Sequence, residues 1–149
     1  MESLTSGIQY RHWPVADAKA CVLLVHGLAE HTGRYHRLAA HFNSAGIAVV
    51  GPDHIGHGAS PGVRAHVRRF SDYLEPLTAL RERIKEWYPD KPVFLLGHSM
   101  GGLIGAHALL VSQKSYHGAM FSGPAFTAVD PVSAPVMWIG RLLRYVFPK

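Results

Sequence analysis

The sequence predicts an α/β fold in which a mostly parallel sheet carries helices on both faces. Continuously apolar runs have the length of buried strands, and segments with helical periodicity alternate with them along the chain. Such alternation favours parallel strands, because each helix must cross the sheet before the next strand can begin. The chain has 149 residues and is 48% apolar, so it is long enough to bury a core of its own.

The elements follow in a regular order. A short strand is predicted at residues 8–13, near a sheet edge, and buried strands at 20–25 and 47–50. A helix through residues 36–42, ended by Gly46, separates those two strands. A long amphipathic helix is predicted over residues 70–88 and is stopped by Pro89. A strand that begins at residue 93, a helix rich in small residues and a last strand at 118–124 complete the pattern.

The segment 93–102 reads VFLLGHSMGG, an apolar strand followed by a sharp turn and a helix, with Ser99 at the apex. A serine nucleophile on such a turn sits in a strained backbone conformation, and Cβ atoms on its neighbours would obstruct it. Gly97 and Gly101 remove those atoms, whereas the His98 side chain points away from the hydroxyl. The N–H of Met100, at the start of the helix, is then placed to face a developing oxyanion.

Composition excludes several classes of protein. The net charge of +5 comes mostly from scattered residues, and no nucleic-acid-binding module is present. The single cysteine, Cys21, lies in an apolar run and cannot form an internal disulfide. Neither a secretory signal nor a run of eighteen apolar residues is visible, so a cytoplasmic protein is predicted.

Residues 131–149 combine apolar, aromatic and basic side chains, including Trp138, Arg141 and Arg144. This mixture suits an interfacial helix or a lid over an apolar pocket. An ordinary helix that faces the core has the same periodicity, and both interpretations stay open.

Three motifs occur in a fixed order: residues 26–35 (HGLAEHTGRY), 53–60 (DHIGHGAS) and 97–102 (GHSMGG). Together they closely resemble the monoacylglycerol lipase/lysophospholipase family of α/β-hydrolases, and the resemblance covers essentially the whole chain. It implies hydrolysis of a carboxylic ester through an acyl-enzyme on Ser99, with the Leu28 and Met100 N–H groups as the oxyanion hole. It also implies an acyl-lipid substrate, no cofactor, a hydrolase core over residues 1–124, and the start of a helical cap at 125–149 that contacts membrane.

The same fold orders its catalytic triad as serine, then acid, then histidine. After Ser99 the only acid is Asp130, and the last histidine of the chain is His117. The expectation is therefore an N-terminal half of a hydrolase, truncated before the triad acid and base and inactive alone.

The first motif supplies a supporting loop that contains His26, Gly27, Glu30 and Arg34. Glu30 and Arg34 are four residues apart and could pair to brace this loop. The loop histidines are expected to hydrogen-bond loop backbone; they are His26, His31, His54 and His57. Asp53 precedes the serine and belongs to the second motif, so a structural role is expected for it rather than that of the triad acid. Their spacing does not match a metal-ligand pattern.

Two alternatives differ from an ester hydrolase. The first is another α/β-hydrolase, such as a thioesterase or a peptidase. The second is a non-catalytic, truncated hydrolase fold that only binds acyl lipid or a partner, which the missing base favours for this chain by itself.

Overall fold

A computed structural model describes residues 1–127 together with residues 136, 138 and 139. Its elements, in chain order, are β1 (Glu2–Ser3), β2 (Gln9–Trp13), β3 (Ala20–Val25), α1 (His36–Ser44), β4 (Ile47–Pro52), α2 (Leu74–Trp87), β5 (Val93–His98), α3 (Met100–Ser112) and β6 (Gly118–Ser122). Single 3₁₀ turns precede α1 and α2 and follow α3.

The strands form one sheet in the order β1-β2-β4-β3-β5-β6. The strands β4, β3, β5 and β6 are parallel to one another, whereas β2 pairs antiparallel with β4 and β1 pairs antiparallel with β2. The parallel part follows from the helices that connect its strands, since each crossover returns the chain to the same end of the sheet. The predicted fold class, a mostly parallel sheet with helices on both faces, is confirmed.

The side chains of β3 pack alternately into two separate hydrophobic cores, one on each face of the sheet. Cys21, Leu23 and Val25 face the helices α2 and α3, and Val22 and Leu24 face α1. The whole strand is buried because helices cover both faces, which is why its sequence is continuously apolar rather than alternating.

The three segments that carry the sequence motifs leave the sheet at the carboxyl ends of its parallel strands. The β3 loop (residues 26–30), the β4 loop (residues 53–60) and the turn at Ser99 all follow this edge. Since β3 lies between β4 and β5, the β3 loop is central among the three. Binding sites of open α/β sheets form at this edge.

The sequence did not predict every element. The short β1 was missed, whereas β2 lies near the sheet edge as predicted, as its second strand. The predicted helix over residues 70–88 starts with a 3₁₀ turn at Phe70–Tyr73 before α2 begins.

Most of the predicted cap, residues 125–149, lies outside the described residues, and its boundary at residue 124 stays a prediction. Val136, Trp138 and Ile139 are described, and each is helical and exposed. Within the described part of the chain, no helix is long and apolar enough to cross a membrane.

Candidate active site

Ser99 occupies the turn between β5 and α3 with backbone angles φ 52° and ψ −119°. A residue with a Cβ rarely adopts a positive φ, so its neighbours must hold it there. The Ser99 N–H donates to the Ser122 carbonyl (3.0 Å), and the Ser99 carbonyl accepts from the Gly102 (2.9 Å) and Ala125 (3.0 Å) N–H groups. These bonds fix the strained backbone on both sides of the side chain, as the sequence predicted for a nucleophile turn.

The turn is tight because Gly97 and Gly101 lack side chains. A Cβ on Gly97 would lie 2.5 Å from the Gly101 carbonyl oxygen, and one on Gly101 would collide with the backbone oxygens of Val25 and His26. Neither glycine needs a positive φ, so close backbone approach, not conformational freedom, requires glycine at both positions.

The β3 loop crosses directly beside Ser99. A Cβ on Gly27 would lie 3.2 Å from the Ser99 Cβ and 3.3 Å from the His98 carbonyl oxygen. Within residues 1–127, neither the Leu28 N–H nor the Met100 N–H donates a hydrogen bond. Two amide groups without an acceptor in this range therefore lie next to residues of the turn: Met100 directly follows Ser99, and Leu28 follows Gly27, which lies against Ser99.

Glu30 holds the β3 loop through hydrogen bonds rather than through an ion pair. Its Oε1 accepts from the Gly27 N–H (2.5 Å) and from the Tyr35 hydroxyl (2.6 Å). Burial alone would raise the pKa of the Glu30 carboxyl, but these two hydrogen bonds outweigh it and lower the pKa. Glu30 is therefore a carboxylate at neutral pH and accepts both bonds.

The predicted pair between Glu30 and Arg34 forms at 3.4 Å, but the Arg34 side chain is 65% exposed. An exposed ion pair contributes less than about 1 kcal/mol, so Arg34 adds little to the brace. Sequence reasoning missed Tyr35, because a spacing of five residues from Glu30 matches no periodic pattern.

His26 is fully buried at the base of the β3 loop. It bonds to the Gly27 carbonyl through Nδ1 (2.8 Å), and its Nε2 accepts from the His54 N–H (3.0 Å). Burial lowers the pKa of His26 to about 4, so the ring is neutral at neutral pH. Burial likewise lowers the pKa of His54.

Asp53 ties the β4 loop to the 3₁₀ turn ahead of α1. Its Oδ1 accepts from the Thr32 N–H (2.9 Å) and hydroxyl (2.5 Å), and its Oδ2 accepts from the Ala59 N–H (3.0 Å). Burial would raise the pKa of Asp53, but the bonds from Thr32 and Ala59 lower it overall. These contacts fit the predicted structural role of Asp53.

None of the histidines at 98, 107 and 57 bonds to Ser99, because each ring contacts another group. His98 Nδ1 bonds to the Ser122 carbonyl (2.9 Å), and the His107 ring stacks on Phe70 with centroids 5.7 Å apart. His57 Nδ1 bonds to the Ile55 carbonyl (2.9 Å). Among the described residues nothing hydrogen-bonds the Ser99 hydroxyl, and no group of three or more histidine, cysteine or acidic residues is arranged to hold a metal ion.

A cleft of about 320 Å³ opens beside the β3 loop. Glu30, His31 and Arg64 are among its lining residues, with Gly56 and Gly58 of the β4 loop on the other side.

A family model and two curated relatives match nearly the whole of this chain. The family model described as serine aminopeptidase, S33 matches residues 16–149. A monoacylglycerol lipase from Mycolicibacterium smegmatis is 38% identical over 143 residues, which are 95% of this chain and 51% of that protein. A monoglyceride lipase from Rattus norvegicus is 36% identical over 142 residues, which are 93% of this chain and 46% of that protein.

Solved structures agree with this assignment. The monoacylglycerol lipase of Paleococcus ferrophilus superposes with a TM-score of 0.80 at 28% identity, covering 95% of this chain and 52% of that one. The chain thus spans about half the length of the relatives it matches. It belongs to the serine aminopeptidase S33 family and has the α/β-hydrolase fold of the monoacylglycerol lipases to which it is similar.

Proposed function

We infer that this chain supplies the nucleophile and the oxyanion donors of a serine ester hydrolase that acts on an acyl lipid, most simply a monoacylglycerol. The observation that carries this proposal is the strained turn at Ser99 beside the β3 loop, where the Leu28 and Met100 N–H groups donate to no described residue. The similarity to monoacylglycerol lipases supports the substrate class.

In the proposed reaction the Ser99 hydroxyl oxygen attacks the ester carbonyl carbon, and a general base takes its proton. The Leu28 and Met100 N–H groups stabilise the negative charge on the carbonyl oxygen. Loss of the alcohol, which receives a proton, leaves an acyl group on Ser99. Attack by water then releases the fatty acid and restores the serine. A single oxyanion donor is typically worth a factor of about 10²–10³ in kcat.

The base is a histidine oriented by an acid, and by family resemblance both follow the cap. No histidine follows His117 in this chain. The 149 residues by themselves are therefore expected to react slowly or not at all, and the cap is expected to admit the acyl chain and to contact the membrane surface.

The test uses the complete protein that carries this chain. We expect it to release fatty acid from a monoacylglycerol and to react with a fluorophosphonate probe at Ser99. The Ser99→Ala variant should lose both properties, whereas Ser6→Ala, at an exposed turn position, should keep them. Retention of ester hydrolysis by Ser99→Ala would contradict the proposal.

A peptidase is the second candidate, because the matching family model is described as a serine aminopeptidase. The same protein is therefore assayed with aminoacyl p-nitroanilides. Cleavage of these amides at a higher kcat/KM than the esters would replace the lipase proposal with the peptidase one. Absence of both activities and of probe labelling, with acyl-lipid binding retained, would favour the non-catalytic alternative.

A further inference from the structure

The loops after β3 and β4 are joined by two hydrogen bonds in which each histidine ring bonds the backbone of the other. His26 Nε2 accepts from the His54 N–H (3.0 Å), and His54 Nε2 bonds to the His26 carbonyl (3.0 Å). We call this pair of bonds the histidine clasp. Both rings are fully buried, and their centroids are 4.1 Å apart.

The bonds of the clasp fix one tautomer for each ring. Because His26 Nε2 accepts a hydrogen bond, the proton of the neutral ring is on Nδ1 and is donated to the Gly27 carbonyl (2.8 Å). The proton of His54 is on Nε2, since a carbonyl can only accept. The His54 Nδ1 then carries a lone pair, and it has no partner among the described residues.

The clasp determines the orientation of two successive peptide groups. The carbonyl of the His26–Gly27 peptide accepts from the His54 ring, and its N–H donates to the Glu30 carboxylate. The carbonyl of the next peptide, Gly27–Leu28, accepts from His26 Nδ1. In a trans peptide the N–H points opposite to the C=O, so this last bond also sets the direction of the Leu28 N–H.

The His54 ring is itself held in place from the side of α2. Its edge meets the Tyr73 ring at a centroid distance of 5.2 Å and an interplanar angle of 68°. Tyr73 is 4% exposed and packs in the larger core. The His54 ring, which donates to the His26 carbonyl, therefore packs directly against the larger core.

We propose that His54 is a positioning residue that aims the Leu28 N–H at the oxyanion, by holding the His26–Gly27 peptide through the histidine clasp. This inference rests on the proposed function. His54 touches neither substrate nor Ser99 in this role; it acts on the oxyanion donor through one hydrogen bond to the backbone. Without that bond the His26–Gly27 peptide is held only at its N–H, by the Glu30 carboxylate, so it can tilt and misdirect the Leu28 N–H.

The kinetic test compares two substitutions at this position in the complete protein. His54→Leu removes the donor and keeps an apolar side chain, whereas His54→Gln keeps an N–H donor close to the position of the imidazole Nε2. We expect His54→Leu to lower kcat for monoacylglycerol by about tenfold or more, with KM changed less than about twofold, because the donor acts mainly in the transition state. His54→Gln should recover most of the lost kcat.

Ser60→Ala is the matched control. The buried Ser60 hydroxyl donates to the carbonyl of the Asp53–His54 peptide (2.6 Å) and accepts from the Gln9 N–H (2.9 Å). This variant therefore loosens the β4 loop and the peptide that carries the His54 N–H, but it keeps the His54 ring that donates to the His26 carbonyl. Thermal melts confirm that each variant is folded. The proposal is overturned if His54→Leu lowers kcat no more than Ser60→Ala does, or if folded His54→Gln is as slow as His54→Leu.

Hydrogen exchange decides the matter without relying on activity. We expect the Gly27 amide to exchange on the order of ten times faster in His54→Leu than in Ser60→Ala, after correction for global stability. Equal exchange in the two variants would overturn the positioning role. If the wild-type protein hydrolyses no ester and does not react with the fluorophosphonate, the proposed function fails, and exchange of the Gly27 amide still tests whether His54 holds the loop.

Discussion

Replacement of Ser99 by glycine should make the protein more stable while it abolishes the proposed ester hydrolysis. Ser99 has φ 52° and ψ −119°, a conformation that costs a residue with a Cβ about 1–3 kcal/mol and costs glycine very little. The Ser99 hydroxyl donates no hydrogen bond to the described residues, so its removal forfeits none there. Glycine also gains about 0.5–1 kcal/mol of backbone freedom in the unfolded chain, which opposes the gain. The net increase in the free energy of unfolding should be roughly 0.5–2 kcal/mol.

Urea denaturation followed by tryptophan fluorescence measures this difference in the complete protein. Ser99→Ala is the matched control, because it removes the same hydroxyl but keeps the strained Cβ. The reasoning is refuted if Ser99→Gly is no more stable than Ser99→Ala, since the stored strain would then be negligible.

Three further predictions concern the surroundings of the serine. Gly101→Ala forces a Cβ into backbone oxygens and should destabilise the fold by about 2 kcal/mol or more, measured by urea denaturation; an unchanged midpoint would contradict the close packing of the turn. Because burial lowers the pKa values of His26 and His54, the unfolded chain binds protons that the folded chain does not, and the free energy of unfolding should fall as pH drops from about 6.5 towards 4. Each histidine lowers the free energy of unfolding by at most about 1.4 kcal/mol per pH unit. Denaturation curves whose midpoints stay the same across that pH range would contradict the prediction. Tyr35→Phe removes one of the two donors to Glu30 and should destabilise by about 1–2 kcal/mol in thermal melts, whereas Glu30→Gln should cost more because it also weakens the bond to the loop backbone.

The parts of the fold that the sequence predicts are those with a repeating physical cause. A strand covered on both faces must be apolar throughout, so β3 and β5 are recognisable without any other information. The turn at Ser99 is equally visible, because glycine on both sides of a serine between a strand and a helix has a specific steric reason. The fold class and the family followed from these features and from the motifs that surround them.

The sequence predicted that the loop histidines bond loop backbone, as His26, His54 and His57 do, but not which backbone groups they reach. The clasp between His26 and His54 joins residues 28 positions apart, and nothing local distinguishes these two histidines from His31 or His36. The bond from Tyr35 to Glu30 also depends on the path of the intervening 3₁₀ turn. Long-range hydrogen bonds of this kind are set by how loops cross in space, which periodicity does not encode.

The backbone of Ser99 bonds to the end of β6, at Ser122, and to Ala125, three residues further along the chain. Residues 122–125 are thus attached directly to the reactive turn and also lead into the segment predicted as the cap. A displacement of that segment would reach the Ser99 main chain through these two backbone hydrogen bonds, and no side-chain contact is needed. The proposed nucleophile and the start of the predicted cap are therefore connected through backbone hydrogen bonds alone.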